Sequence, residues 1–329
     1  MKVLAYSCRP DEKDFFNQFA QKHGIEITLS EQDPEPETVE LARGFDCISI
    51  ITTAIDARLL QQFYQAGVRF ISTRTAGYDH IDIKAAHKLG FKVSHVQYSA
   101  SSVADYAIML MLMLTRKIKT IFEQTNIQDY SLDALRGREL PHMTVGVAGT
   151  GKIGHTVIRH LSGFGCRLLA YDLYENEETK KYAPYVPLET LLAESDVLTL
   201  HMPSTAKNSH FINKDTIAAM KNGALLVNTA RGSLVHTGDL IEAIRQKKLG
   251  GAALDVLERE EGIFYNDLTG QVVDVPELAL LQSFPNVIVT PHIAFYTDQA
   301  VADMVEGSIM SCATFMQGKE IPWLVAPSN

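Results

Sequence analysis

Arg231, Glu260 and His292, all in the C-terminal half of the chain, are of the types that a hydride-transfer reaction at a carbonyl requires. A histidine can give a proton to the carbonyl oxygen as hydride reaches the carbon, and take it back in the reverse direction. A carboxylate beside it orients the ring and stabilises the imidazolium. An arginine offers a planar fork of donors to the carboxylate and carbonyl oxygens of a 2-oxo acid. Neither a metal nor a covalent intermediate is needed. Each residue also has a plainer reading. Arg231 alone suits a structural ion pair, His292 a satisfied loop residue, and Glu260, inside Glu258-Arg259-Glu260-Glu261, a solvated charge run. What lifts the set above these readings is joint placement after strand ends, beside a cofactor motif.

That motif is Gly149-Thr150-Gly151-Lys152-Ile153-Gly154. It follows the apolar run Met143–Ala148 and opens an amphipathic helical segment that closes at Gly165. A second apolar run, Cys166–Tyr171, then ends in Asp172. Strand, glycine loop, helix and strand closed by an acid form the dinucleotide-binding fingerprint in its required context. Gly149 permits the turn off the strand, Gly151 lets a pyrophosphate approach the backbone, and Gly154 lets the helix pack close to the sheet. The helix N-terminus faces the phosphates with free N–H groups and a positive dipole end. Asp172 is placed to accept hydrogen bonds from the adenosine ribose. Leu173, Tyr174 and Glu175 follow it with no cation for a 2′-phosphate, which favours NAD over NADP. The competing reading is a glycine-rich turn in another α/β protein.

The elements around these residues repeat strand and helix. Strands are predicted at Lys2–Cys8, Glu26–Ser30, Cys47–Ile51, Arg69–Thr73 and Lys92–Val96, with helices at Asp11–His23 and Ala57–Ala66 closed by Gly24 and Gly67. Such alternation implies a parallel sheet with helices on both faces. After Asp172, strands are predicted over Asp196–His201, Ala224–Arg231, Ala252–Asp255 and Asn286–His292. Helices are predicted over Pro187–Glu194, Asn213–Lys221 and Thr237–Lys248. The four strands deliver His201, Arg231, Asp255 and His292 to one sheet edge, where ligands of open α/β sheets sit. Ser101-Ser102 offers an N-cap for one long helix, Val103 to about Phe122, whose first half is apolar almost all round. It is buried either between domains or subunits, or inside one domain core. A final helix runs from Thr297 to about Gln317 and is expected to return to the first domain. The fold class is therefore α/β, with two Rossmann-like, doubly wound parallel-sheet domains. Residues 1–100 plus 298–329 form one discontinuous domain, and 101–297 form the NAD-binding domain.

Composition narrows the partners. The chain has 329 residues, a net charge of −9 and no basic block, which argues against nucleic acid or an anionic membrane surface. Its longest apolar run, Tyr106–Leu114, is far below the roughly 20 residues that span a bilayer. Cys8, Cys47, Cys166 and Cys312 lack metal-ligand spacing and read as reduced, buried thiols. No signal peptide is visible at the N-terminus, so the cytoplasm is the expected compartment.

Several segments resemble, in order, the signatures of the D-isomer-specific 2-hydroxyacid dehydrogenases. They are Asn228-Thr-Ala-Arg231-Gly-Ser-Leu-Val, Gly251-Ala-Ala-Leu-Asp255-Val-Leu-Glu-Arg-Glu260, Thr290-Pro-His292 and Ser72-Thr-Arg-Thr75-Ala76-Gly77-Tyr-Asp79. Ala5-Tyr6, Arg9–Lys13, Val96-Gln-Tyr98-Ser, Glu261–Asp267 and His292-Ile-Ala-Phe295-Tyr296 resemble the branch of fermentative D-lactate dehydrogenases and vancomycin-resistance 2-keto acid reductases. The resemblance implies NADH-dependent reduction of pyruvate or a near 2-keto acid, with Arg231, Glu260 and His292 as catalytic triad. It implies that amides at Ala76 and Gly77 hold the substrate carboxylate, that Tyr98 lines the substrate site, and that Phe295 limits side-chain size. On the cofactor side it implies Lys152 and Ile153 over the pyrophosphate. Met202, Pro203 and Asn208 then lie at the adenosine, and Thr229, Ala230 and Asp255 near the nicotinamide. It further implies a cleft between the domains that closes on ligand, while the apolar 103–122 region predicts a homodimer or a higher oligomer.

The sequence departs from the family pattern at Lys152, Ala76, Tyr78 and Ile293, which leaves the substrate side chain open. Two alternatives remain. A phosphoglycerate or formate dehydrogenase is disfavoured by the Asp255-to-His292 spacing and by the lack of a basic cluster for phosphate. An NAD-sensing, corepressor-like binding module is disfavoured by the lack of a disordered interaction extension.

Overall fold

The computed structural model describes residues 2–326, which fall into two compact units, one of residues 2–99 with 296–326 and one of residues 100–295.

The first unit alternates strand and helix through β1 (Lys2–Ala5), α1 (Lys13–His23), β2 (Glu26–Leu29), β3 (Cys47–Ile50), α2 (Ala57–Ala66), β4 (Phe70–Thr73), α3 (Ile83–Leu89) and β5 (Lys92–Ser94). Its sheet is wholly parallel in the order β2-β1-β3-β4-β5. Every residue of β3 and β4 is buried, as expected of central strands covered on both faces. Helix starts and stops follow side-chain chemistry. Asp56 accepts from Leu59 N at 2.8 Å and Asp82 from Ala85 N at 3.0 Å, each filling an N-cap. Gly67 and Gly90 end α2 and α3 in the left-handed conformation. The sequence reading passed over α3, although Asp82 and Gly90 mark both of its ends.

The second unit runs α4 (Ala100–Thr115), α5 (Ile118–Asn126), β6 (Thr144–Ala148), α6 (Lys152–Leu161), β7 (Arg167–Tyr171), α7 (Glu177–Lys180), α8 (Leu188–Glu194), β8 (Val197–Leu200), α9 (Lys214–Ala219), β9 (Ala224–Asn228), α10 (Thr237–Arg245), β10 (Leu249–Leu254), α11 (Pro276–Ser283) and β11 (Val287–Val289). The six strands are parallel in the order β11-β10-β9-β8-β6-β7. Strand order reverses between β6 and β8, so the glycine loop after β6 opens at the switch point of the sheet. The last helix, α12 (Asp298–Met316), belongs to the first unit and packs on α1, β3 and β4. Thr297 caps it through Ala300 N at 3.3 Å.

Several expected elements differ. The long helix from Val103 to Phe122 is two helices, because Lys117 takes the left-handed conformation at φ 53°. Its N-terminus lies at Ala100, so Ser101 and Ser102 are helical rather than capping. Nor is it covered all round within this chain. Ala104, Ala107, Leu110, Met111 and Leu114 are buried, with α6, β9 and β10 packed on α4, while Met109 is 39% exposed. The strands also stop short of the polar residues assigned to their ends. They close at Leu200, Asn228, Leu254 and Val289, and the polar residues sit in the loops just beyond. β10 begins earlier than expected, at Leu249, with a register irregularity between Leu249 and Gly251. Among the described residues no helix is long and apolar enough to cross a membrane. The four cysteines are free; Cys8, Cys47 and Cys312 are buried and Cys166 is partly so.

Candidate active site

The fingerprint loop is shaped by contacts that exclude side chains at two of its three glycines. A Cβ at Gly149, where φ is 91°, would meet His201 C at 2.6 Å, and a Cβ at Gly154 would meet Gly149 O at 1.9 Å. A Cβ at Gly151 meets nothing within 4 Å. The first and third glycines are thus required by the fold, while space is left open at the second, where α6 presents its N-terminus. Asp172 Oδ2 accepts from Thr150 N at 2.6 Å and Thr150 Oγ1 at 3.0 Å, and Oδ1 accepts from Tyr174 N at 3.1 Å. The acid therefore sits at the mouth of the loop, as the fingerprint requires. Two buried polar atoms beside this region have no protein partner, His201 Nδ1 and Thr229 Oγ1. An open backbone cradle, a helix N-terminus, an acid and unpaired polar atoms fit a dinucleotide.

The other positions expected around the cofactor are placed as follows. Lys152 and Ile153 begin α6, Lys152 exposed and Ile153 packed on the core. Met202 packs on the core of the second unit. Asn208 closes its own turn, donating to Pro203 O at 2.8 Å and accepting from Thr205 N at 2.7 Å. Ala230 N donates to Asn228 Oδ1 at 3.0 Å. Asp255 is buried and its carboxylate is spent on the loop that carries His292. It accepts from Thr290 Oγ1 at 2.5 Å, Ile293 N at 3.0 Å and Ala294 N at 2.9 Å. Burial raises its pKa, and these three hydrogen bonds pull against that rise.

His292 and Glu260 are brought together. Nδ1 lies 2.6 Å from Glu260 Oε1, and a carboxylate can only accept, so the ring nitrogen donates. Glu260 Oε2 accepts from Leu257 N at 2.7 Å, which fixes the carboxylate from its other side. His292 N donates to Asp255 O at 2.7 Å, and its φ of 53° turns the side chain off the end of β11. Tyr265 Oη donates to His292 O at 2.8 Å, its ring centroid 6.0 Å from the imidazole. Arg231, one turn beyond β9, donates from Nη1 to Ala230 O at 2.7 Å. Gly232 next to it lies against the Glu260 loop, since a Cβ there would be 2.0 Å from Leu257 O. Sequence reasoning left out Glu258 and gave Tyr265 no role of its own. The only signal for Glu258 was a second carboxylate two residues before Glu260.

In the first unit, Ala76 is exposed and Gly77 partly exposed in the loop after β4. Thr75 organises this loop. Its hydroxyl donates to Gly77 O at 2.6 Å and meets Thr73 Oγ1 at 2.6 Å, and its carbonyl accepts from Val96 N at 3.0 Å. Arg74, wholly buried, anchors it from beneath. It donates to Glu12 Oε1 at 3.0 Å, Ser49 Oγ at 3.1 Å and Tyr6 O at 2.9 Å. Tyr98 is partly exposed after β5, and Phe295 partly exposed at the end of the second unit.

Residues 108–294 match the family model of the D-isomer specific 2-hydroxyacid dehydrogenase NAD binding domain. The chain is 42% identical to an aromatic 2-oxoacid reductase of Clostridium sporogenes, over 96% of each chain. It is 44% identical to a D-specific alpha-keto acid dehydrogenase of Enterococcus faecium, over 97% of this chain and 98% of that one. Among solved structures it is similar to D-2-hydroxyisocaproate dehydrogenase, with a TM-score of 0.90, 35% identity and 99% of each chain covered. Glycine cradle, imidazole–carboxylate pair and these likenesses agree: the chain belongs to the D-isomer-specific 2-hydroxyacid dehydrogenases and is an NAD-dependent oxidoreductase of that family.

Proposed function

We propose that this chain uses NADH to reduce pyruvate, or a 2-keto acid of similar size, to the D-2-hydroxy acid, as a D-lactate dehydrogenase of fermentation. The observation that carries this reading is the His292–Glu260 pair, held at the same sheet edge as the glycine cradle. Gly149, Gly151, Lys152, Ile153, Gly154 and Asp172 would hold the dinucleotide, with Met202, Pro203, Asn208, Thr229 and Ala230 along its length. When bound, NADH supplies the hydride. His292 gives its proton to the substrate oxygen from Nε2 while Glu260 holds Nδ1 and the imidazolium charge. Arg231 supplies donors to the 2-oxo carboxylate. Asp255 acts on His292 by fixing residues 290–294. Ala76 and Gly77 offer amides to the substrate carboxylate, and Tyr98 and Phe295 border its side chain.

A second reading, a bulkier 2-keto acid, is favoured by the aromatic 2-oxoacid reductase among the relatives and by the exposed Tyr265 ring beside His292. Steady-state rates with pyruvate, 2-ketobutyrate, 2-ketoisocaproate and phenylpyruvate, followed as NADH consumption at 340 nm, decide between them. A kcat/KM for phenylpyruvate above that for pyruvate would select the second reading. No turnover with any of the four would sink both.

Two further readings accompany this one. The exposed Met109 and the apolar hollow lined by Ile108, Leu112, Met113, Ile118 and Phe164 support a homodimer through the 103–122 region, which light scattering would test by mass. Free buried cysteines support a reducing cytoplasm as the compartment.

A further inference from the structure

Glu258 has a denser set of partners than its place in a charged surface run suggests. Its Oε2 accepts from Thr237 N at 2.8 Å and Thr237 Oγ1 at 2.6 Å, at the first residue of α10. Its Oε1 accepts from His210 Nε2 at 2.7 Å. His210 is itself fixed, because its carbonyl accepts from Asn213 Nδ2 at 2.9 Å and its N donates to Ser233 O at 2.8 Å. Its ring packs edge-on against His236, with centroids 4.7 Å apart. Three donors from two separate segments therefore hold one carboxylate.

What this carboxylate holds is the turn to Glu260. The next residue, Arg259, has φ 61°, a conformation that a side-chain-bearing residue keeps only when its surroundings impose it. That turn lets Glu260 reach Leu257 N and His292 Nδ1 at once. His210 and His292 also have positive φ, at 53° each, so strained residues sit at both ends of the chain of bonds from His210 through Glu258 and Glu260 to His292. On the other side, Gly232 packs against Leu257 O and Glu258 N, so the segment before α10 backs the same turn.

We propose that Glu258 is a positioning residue for the reaction: clamped by Thr237 and His210, it holds the strained Arg259 turn that aims Glu260 at His292. This rests on the proton role given to His292 in the proposed function. The clamp acts on the rate of the chemical step and not on cofactor or substrate affinity, because none of its partners belongs to the glycine cradle or to the Ala76–Gly77 loop.

The test is Glu258→Gln in the full chain, which keeps the shape and removes the charge. The kcat for 2-keto acid reduction should fall roughly tenfold, since small misplacement of a catalytic group costs this much or more. The KM for the keto acid and the Kd for NADH should stay within twofold. Amide exchange of the peptide spanning Val256–Gly262 should speed up in the protein without ligand, as Leu257 N loses its fixed acceptor. In a Glu260→Gln background, Glu258→Gln should add little, because its route to the rate runs through Glu260. Thr237→Val removes one donor without touching the carboxylate, and should give a smaller loss of the same kind. Unchanged kcat, unchanged exchange, or a full additional loss in the Glu260→Gln background would overturn the clamp. Failure of the function reading would look different, because the wild-type chain would then turn over no 2-keto acid at all.

Discussion

Glu260 grips His292 from one side and its own loop from the other, with Oε1 2.6 Å from His292 Nδ1 and Oε2 2.7 Å from Leu257 N. A carboxylate bound at both oxygens cannot swing away when the imidazole changes charge. The ring is thereby held in one tautomer, with the proton on Nδ1. Glu260→Gln should therefore lower kcat by about 100-fold with NADH affinity retained, and His292→Ala should lower it further. Stopped-flow rates with NADH binding measured by fluorescence check this. A near-wild-type rate in His292→Ala would refute the proton role.

The glycines of the fingerprint should separate stability from binding. Gly154→Ala drives a Cβ into Gly149 O and should lower the melting temperature and yield of folded protein. Gly151→Ala meets nothing in the protein, so melting should hardly change while NADH affinity drops at least tenfold. Calorimetry and titration of the two variants side by side give the answer. Equal loss of melting temperature in both would contradict the assignment of open space at Gly151 to the cofactor.

The buried pair Arg74–Glu12 predicts a third outcome. Both side chains are wholly enclosed, and Arg74 also donates to Ser49 and to the carbonyls of Tyr6 and Ser7. Removing Glu12 strands the Arg74 charge, which costs about 3–5 kcal/mol, whereas removing Arg74 leaves Glu12 the Arg9 guanidinium at 3.5 Å and Arg9 N at 3.0 Å. Glu12→Gln should lower the unfolding free energy from denaturant titration by that much, Arg74→Met by less, and the double variant should lose less than the sum. Additive losses in the cycle would mean that the two charges do not stabilise one another.

Much of this was legible from residue types alone. Buried parallel strands are apolar and β-branched because both faces are covered, which is why Cys47–Ile50 and Thr144–Ala148 read plainly. The glycine loop read plainly because Gly154 packs on Gly149 five residues before it and the strand, loop and helix follow one another directly, although His201 far along the chain also closes on Gly149. Other features depend on partners far away in sequence. Glu258 meets Thr237 and His210, which are 21 and 48 positions away, so a charge run was its natural reading. The break at Lys117 left no glycine or proline to announce it. His292 read as the end of a strand because Thr290-Pro291 continues the extended pattern, whereas the bonds from Asp255 turn the chain there.

A fourth prediction concerns acid. His201 is partly buried, its Nδ1 shielded from solvent and its Nε2 2.8 Å from Thr199 Oγ1, and burial pushes its pKa down to about 3. In the unfolded chain it titrates near ~6.5. Between these values the unfolded state binds a proton that the folded state refuses, so stability falls as pH is lowered from about 6.5 towards 3. Melting temperature against pH should show this slope in the wild type and a flatter one in His201→Gln. The same slope in both would assign the effect to other groups.

The left-handed residues Arg259 and His292 carry a consequence for the history of such a chain. Each holds the backbone where an ordinary side chain raises the energy by about 1–3 kcal/mol. A glycine at position 259 would ease that strain, and would also let the carboxylate after it wander. Selection for durability and selection for speed thus pull this one position in opposite directions. A lineage moved to hotter surroundings would be expected to gain its stability elsewhere in the molecule and leave this turn uncomfortable.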